Sequence, residues 1–108
     1  MEINELLNKY AFHDSLIESI YLNNKNWENR ILEIVFKLYL DWNKDLETDL
    51  IKVTFNDIED FNHIEYKELH FQNTVLDIKY NKNNIISIIS CSWEINFKLK
   101  TNNITINK

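Results

Sequence analysis

Glycine and proline are both missing from this chain of 108 residues, cysteine occurs once, and alanine and arginine are represented only by Ala11 and Arg30. Glycine-rich phosphate loops, nucleophile elbows and Walker-type loops all need glycine to bring backbone close to a ligand, so those nucleotide and acyl-transfer sites are excluded. A single cysteine, Cys91, forms no internal disulfide. It falls on the same strand face as Ile89 and Trp93 and reads as a small buried apolar residue. No long apolar run occurs, and the start Met1-Glu2-Ile3-Asn4-Glu5 is acidic where a signal peptide is basic, which makes the cytoplasm the expected compartment and a membrane partner unexpected. Abundant Asn, Lys and Ile with little Gly, Pro, Ala or Arg is the composition that A+T-rich coding produces.

What is present is alternation, and a β-rich chain without glycine must turn on something else. Asparagine tolerates positive φ and bonds its own backbone, so Asn23-Asn24-Lys25-Asn26, Asn81-Lys82-Asn83-Asn84 and Asn102-Asn103 are read as turns. Ile3, Leu6, Leu7 and Tyr10 recur at helical spacing behind Glu2 and Glu5, predicting a short N-terminal helix. From Ser15 the period becomes two, with Leu16, Glu18, Ile20 and Leu22 opposed to Ile17, Ser19 and Tyr21. The clearest strand is 31–42, where Leu32, Ile34, Phe36, Leu38, Leu40 and Trp42 share a face. After a polar loop, 50–56 opposes Ile51, Val53 and Phe55 to Lys52, Thr54 and Asn56.

Residues 57–63 read as one helical turn or a compact loop. Segments 64–71 and 74–80 read as strands with Leu69, Phe71, Leu76, Ile78 and Tyr80 inward, and 85–100 as one long alternating run, followed by a short strand over 104–106. Within the long run, 85–89 is apolar on both faces, to be covered by the helix or used as an interface. The expected fold is α+β: a predominantly antiparallel β meander of six or seven strands, a bent sheet or small sandwich, with a short N-terminal helix, in one domain spanning 1–108.

The net charge of −5 is unevenly spread. Residues 41–68 hold nine acids against Lys44, Lys52 and Lys67, whereas 79–108 hold five lysines against Glu94. An acidic middle argues against nucleic acid, whose binders use a basic stripe, and suits a basic protein partner or simply a solvated face. His13-Asp14 could be a base and its orienter, yet neighbours on a strand point apart, and Asp14 reads as a turn residue with His13 and Ser15 in a structural motif. His63 and His70 have no further ligands at zinc spacing, and Asp57, Glu59 and Asp60 lack the glycine and distal glutamate of a calcium loop, so neither metal nor cofactor is expected. No nucleophile, base and acid set stands out, and the chain is read as no enzyme. Trp93 lies on an apolar face and is read as core, while Trp27 and Trp42 are less securely buried.

The segment Phe12-His13-Asp14-Ser15-Leu16-Ile17, then a strand ending Leu40-Asp41-Trp42 and a strand reading Ile51-Lys52-Val53-Thr54-Phe55, resembles small bacterial domains that open with an F-H-D-S/A-x-I/V motif, among them the immunity protein 50 type. The resemblance implies an antitoxin role in a polymorphic toxin system. Together with the charge asymmetry it leads to the expectation of a non-enzymatic domain that binds a basic protein, a toxin, through Asp41, Trp42, Asp45, Glu47, Asp57, Glu59 and Asp60. Two other readings stay open. One is a ligand-binding module or small enzyme with a pocket near His13, His63 or His70, the other a homo-oligomeric structural protein built on 85–89.

Overall fold

Period-two alternation becomes one curled antiparallel sheet. A computed structural model describes residues 2–23, 30–39, 48–65, 74–90, 92–100 and 103–107. They form α1 (Ile3–Lys9), β1 (Leu16–Asn23), β2 (Arg30–Tyr39), β3 (Thr48–Glu65), β4 (Val75–Tyr80), β5 (Ile85–Ser90), β6 (Trp93–Leu99) and β7 (Ile104–Asn107). The strand order is β1-β2-β3-β6-β5-β4, with β7 also on β3. This departs from a simple meander: β3 and β4 are consecutive in sequence but lie two strands apart, because β3 is long enough to pair along part of its length with β2 and along the rest with β6. β7 continues the line of β6 along the same edge of β3, from Phe55↔Ile104 to Lys52↔Asn107.

The sheet is open, yet its two outermost strands touch. Leu16 of β1 bridges Thr74 just before β4, the Asp14 N–H donates to the Val75 carbonyl at 2.8 Å, and the Val75 N–H donates to the Ser15 carbonyl at 2.8 Å. The curl this creates encloses the core. Leu32, Ile34, Phe36 and Leu38 of β2, Ile51, Val53, Phe55 and Ile58 of β3, Ile86 and Ile88 of β5, and Ile95, Phe97 and Leu99 of β6 are all buried. Phe12 stands edge-on to Phe36 with centroids 4.8 Å apart, as Phe55 does to Phe97 at 4.9 Å, the geometry that aromatic quadrupoles favour. α1 adds Ile3 and Leu6 to this core, with Glu5 in its first turn and Lys9 in its last, each at the end its charge favours.

Several expectations are corrected here, most of them by one device. Where two residues of a strand oppose one of its neighbour, the inward parity switches. In β1 the shift between Ile17 and Ser19 makes Glu18 the extra residue, so Ile17 is inward before it and Ile20 and Leu22 after it. The single face expected for Leu16, Glu18, Ile20 and Leu22 is therefore broken. In β4 the extra residue is Leu76, which is 41% exposed where it was expected inside, while Val75 is buried. Tyr80 likewise is 41% exposed, and its hydroxyl bonds the Asn4 side chain of α1.

Residues 57–63 are neither a helical turn nor a loop: they are the middle of β3, which carries two such shifts, between the partners of Arg30 and Leu32 and between Glu59 and Asn62. The run 85–100 is a hairpin of β5 and β6, closed where the Ser90 hydroxyl oxygen accepts from the N–H groups of Ser92 and Trp93 at 3.2 and 2.9 Å and its O–H donates to the Trp93 carbonyl. Ile86 and Ile88 face the core there, and Ile85 and Ile89 are half-buried on the other side. Leu40, Trp27, Trp42, Leu69, Phe71, His70 and Cys91 lie outside the described residues, as do the turn at 24–26 and Asn102.

Candidate functional site

The switch at Glu18 shapes a site. Beyond it, β1 turns Ile20 inward at a level where the curled sheet is not filled, and Ile20 stays 39% exposed. Across the curl, the second shift in β3 turns Phe61, His63 and Glu65 to the same interior, beside Trp93 and Ile95 of β6. The result is an open-mouthed cavity of about 450 Å³ lined by Ile17, Glu18, Ser19 and Ile20 on one wall and by Phe61, His63, Glu65, Trp93 and Ile95 on the other. That volume is within the range of small-molecule pockets, roughly 300–1,000 Å³.

Register explains the far wall. Glu65 pairs with Trp93 and His63 with Ile95, so His63 is the diagonal neighbour of Trp93. Their rings meet edge to face with centroids 6.2 Å apart. The wall thus offers two aromatic rings, an imidazole and a carboxylate, and the near wall a second carboxylate and a hydroxyl. Neither lysine nor arginine is among the described residues that line the cavity. Among the described residues neither Glu18 nor Glu65 has an ion-pair partner.

The acids expected to meet a partner sit elsewhere. Asp57 lies 3.8 Å from the Lys100 ammonium and Glu59 lies 3.6 Å from that of Lys98, both lysines coming from the end of β6 or just past it. Asp60 is exposed, and it shares a shallow depression with Arg30, Glu59 and Lys100. Opposite charges thus face each other across this patch. Asp41, Trp42, Asp45 and Glu47 lie outside the described residues.

His13, Asp14 and Ser15 form the turn that joins α1 to β1. Asp14 holds φ at 64°, the Ser15 N–H donates to the Phe12 carbonyl at 3.0 Å and the buried Ser15 hydroxyl donates to the same carbonyl at 2.6 Å. This lets the Asp14 N–H and Ser15 carbonyl reach Val75. His13 Nδ1 lies 3.0 Å from Asp14 Oδ2, with 71% of the His13 side chain exposed. His13 lines a separate, smaller recess with Tyr10, Phe12 and Asp77, so the two described histidines do not converge. Among the described residues no group of three or more His, Cys, Asp or Glu side chains could hold a metal ion, and no helix is long and apolar enough to cross a membrane.

Sequence reasoning offered His63 as a possible pocket neighbour and read Trp93 as core, where it is only partly buried, and it named none of Glu18, Phe61 and Glu65 for a site. The available signal was Glu18 itself, a charge inside the apolar set of its strand, which marks the position where the parity breaks. In comparisons with protein-family models, with curated proteins and with solved structures, nothing matches this chain.

Proposed function

We propose that this chain is a non-enzymatic protein-binding domain that neutralises a basic bacterial toxin by occlusion, as an immunity protein does in the cytoplasm. The observation that supports this reading best is the mouth of the curled sheet. Ile20, Phe61 and Trp93 are left partly uncovered between Glu18 and Glu65, and solvated aromatic and aliphatic groups beside charge have the make-up of a binding hot spot. The net charge of −5 favours encounter with a basic partner. Occlusion needs no chemistry, only a complementary surface of about 800 Å² per partner. In this reading Glu18, Glu65 and Asp60 take the role first expected of the wider acidic stretch, because Asp57 and Glu59 already face lysines.

The test is co-purification with tagged protein from cells that carry the gene, at low and then moderate salt. A basic partner recovered in stoichiometric amount and released as salt rises is expected. The Glu18→Gln, Glu65→Gln double variant should associate more slowly with that partner and with a flatter salt dependence. Recovery of the chain alone would overturn the reading, whereas equal binding by the double variant would remove Glu18 and Glu65 from the interface. A small-ligand module is the second reading, favoured by the cavity's volume and by His63 in its wall, with His13 in a separate recess.

A further inference from the structure

We infer that the mouth cavity is a receptor for an arginine side chain carried by the partner. The inference rests on the protein-binding reading and adds the chemical identity of the occupant. Two features of the cavity point the same way. Its walls are apolar and aromatic, from Ile20, Phe61 and Trp93, which suits a hydrocarbon stem. Its carboxylates, Glu18 on one wall and Glu65 on the other, meet no lysine or arginine among the described lining residues. The depression beside Asp60 provides the contrast, since Arg30 and Lys100 line it together with the acids.

Among cationic groups, guanidinium fits this combination better than ammonium. It is planar, less strongly hydrated, stacks on aromatic faces and pairs with a carboxylate through two parallel N–H donors. Trp93 and Phe61 supply rings, and Glu65, paired in register with Trp93, puts a carboxylate beside one of them. An ammonium would use the charge but not the planar fork.

The experiment titrates the full chain with three short peptides that differ at one central position, arginine, its neutral isostere citrulline, or lysine. Binding is followed by the methyl resonances of Ile17, Ile20 and Ile95 and by tryptophan fluorescence. The arginine peptide should shift those methyls and bind more tightly than either of the others. Glu18→Gln with Glu65→Gln should weaken it about tenfold, the scale of losing a charge-assisted hydrogen bond. Ile20→Trp, which fills the mouth from a partly exposed position, should abolish the shifts of the Ile17 and Ile95 methyls. Asp57→Asn with Glu59→Gln should leave them unchanged.

Equal binding of the citrulline or lysine peptide, or binding of arginine that leaves the three methyls unmoved, would overturn the inference. The two proposals fail separately. A co-purified partner that still binds the Ile20→Trp variant keeps the protein-binding reading and removes the arginine receptor, whereas arginine entry without any protein partner does the reverse.

Discussion

Among the described residues four hold positive φ, and three of them are aspartates: Asp14, Asp57 and Asp60, with Asn84 the fourth. Asparagine was expected to take glycine's place, and at the β4–β5 turn it does. Asn84 is left-handed there, and the Asn81 side-chain oxygen accepts from the N–H groups of Asn83 and Ile85 at 2.9 and 3.2 Å. At the other three sites aspartate serves, for the same reason: a short polar side chain lowers the penalty of the left-handed region, about 1–2 kcal/mol for an ordinary L-residue. Replacing Asp60 by Val should therefore lower stability by more than about 1 kcal/mol, whereas Asp60→Gly should be close to neutral; urea denaturation midpoints read both. Ser15→Ala removes a buried hydroxyl whose acceptor, the Phe12 carbonyl, keeps the Ser15 N–H, so the loss should be about 1 kcal/mol by the same measurement. Full retention of stability in Ser15→Ala would mean that the backbone alone holds the turn.

Among the elements, α1, β2 and the inward face of β6 were legible in the sequence because nothing interrupts their periods. Leu32, Ile34, Phe36 and Leu38 all reach the core as alternation predicts, and so do Ile95, Phe97 and Leu99. β1, β3 and β4 were read less well because each carries an extra residue, and alternation counts positions without knowing which one is skipped. In β3 the inward set runs Ile51, Val53, Phe55, then Ile58, then Phe61 and His63, a sequence of odd, even and odd positions that resembles a loop when scanned at period two. The cavity was not legible for a further reason: its walls are 41 to 78 residues apart in the chain, and only the curl joins them.

The packing at this scale has its own consequence. Phe55→Ala empties a position paired edge to face with Phe97 and should cost about 3–5 kcal/mol, while Lys98→Ala, breaking one half-exposed ion pair with Glu59, should cost less than about 1 kcal/mol. A similar loss in both would contradict the assignment of the core to the concave face.

At the scale of the molecule, the sheet is held in its curl by a short seam. Among the described residues the Leu16↔Thr74 bridge and two backbone bonds at Asp14, Ser15 and Val75 join the start of β1 to that of β4, whereas β2 and β3 share a ladder from Arg30↔Ile58 to Tyr39↔Thr48. Regions with few bonds open without global unfolding. The amides of Asp14 and Val75 should thus exchange with deuterium at a lower free energy than those of Val53 and Phe55, and Val75→Pro, which removes one donor of the seam together with the Val75 amide, should widen that gap at Asp14. Equal protection at both places would make the seam part of the global folding unit. The bulges, finally, say where this chain can change its length. A strand that loses one residue ordinarily turns its remaining side chains to the opposite face. At Leu76 the loss of that one residue would instead restore an uninterrupted ladder between Val75↔Ser90 and Asp77↔Ile89 and leave every other side chain of β4 on its present face. A single-codon deletion there is tolerable, while the same deletion in the middle of β2 would turn part of the core out to water.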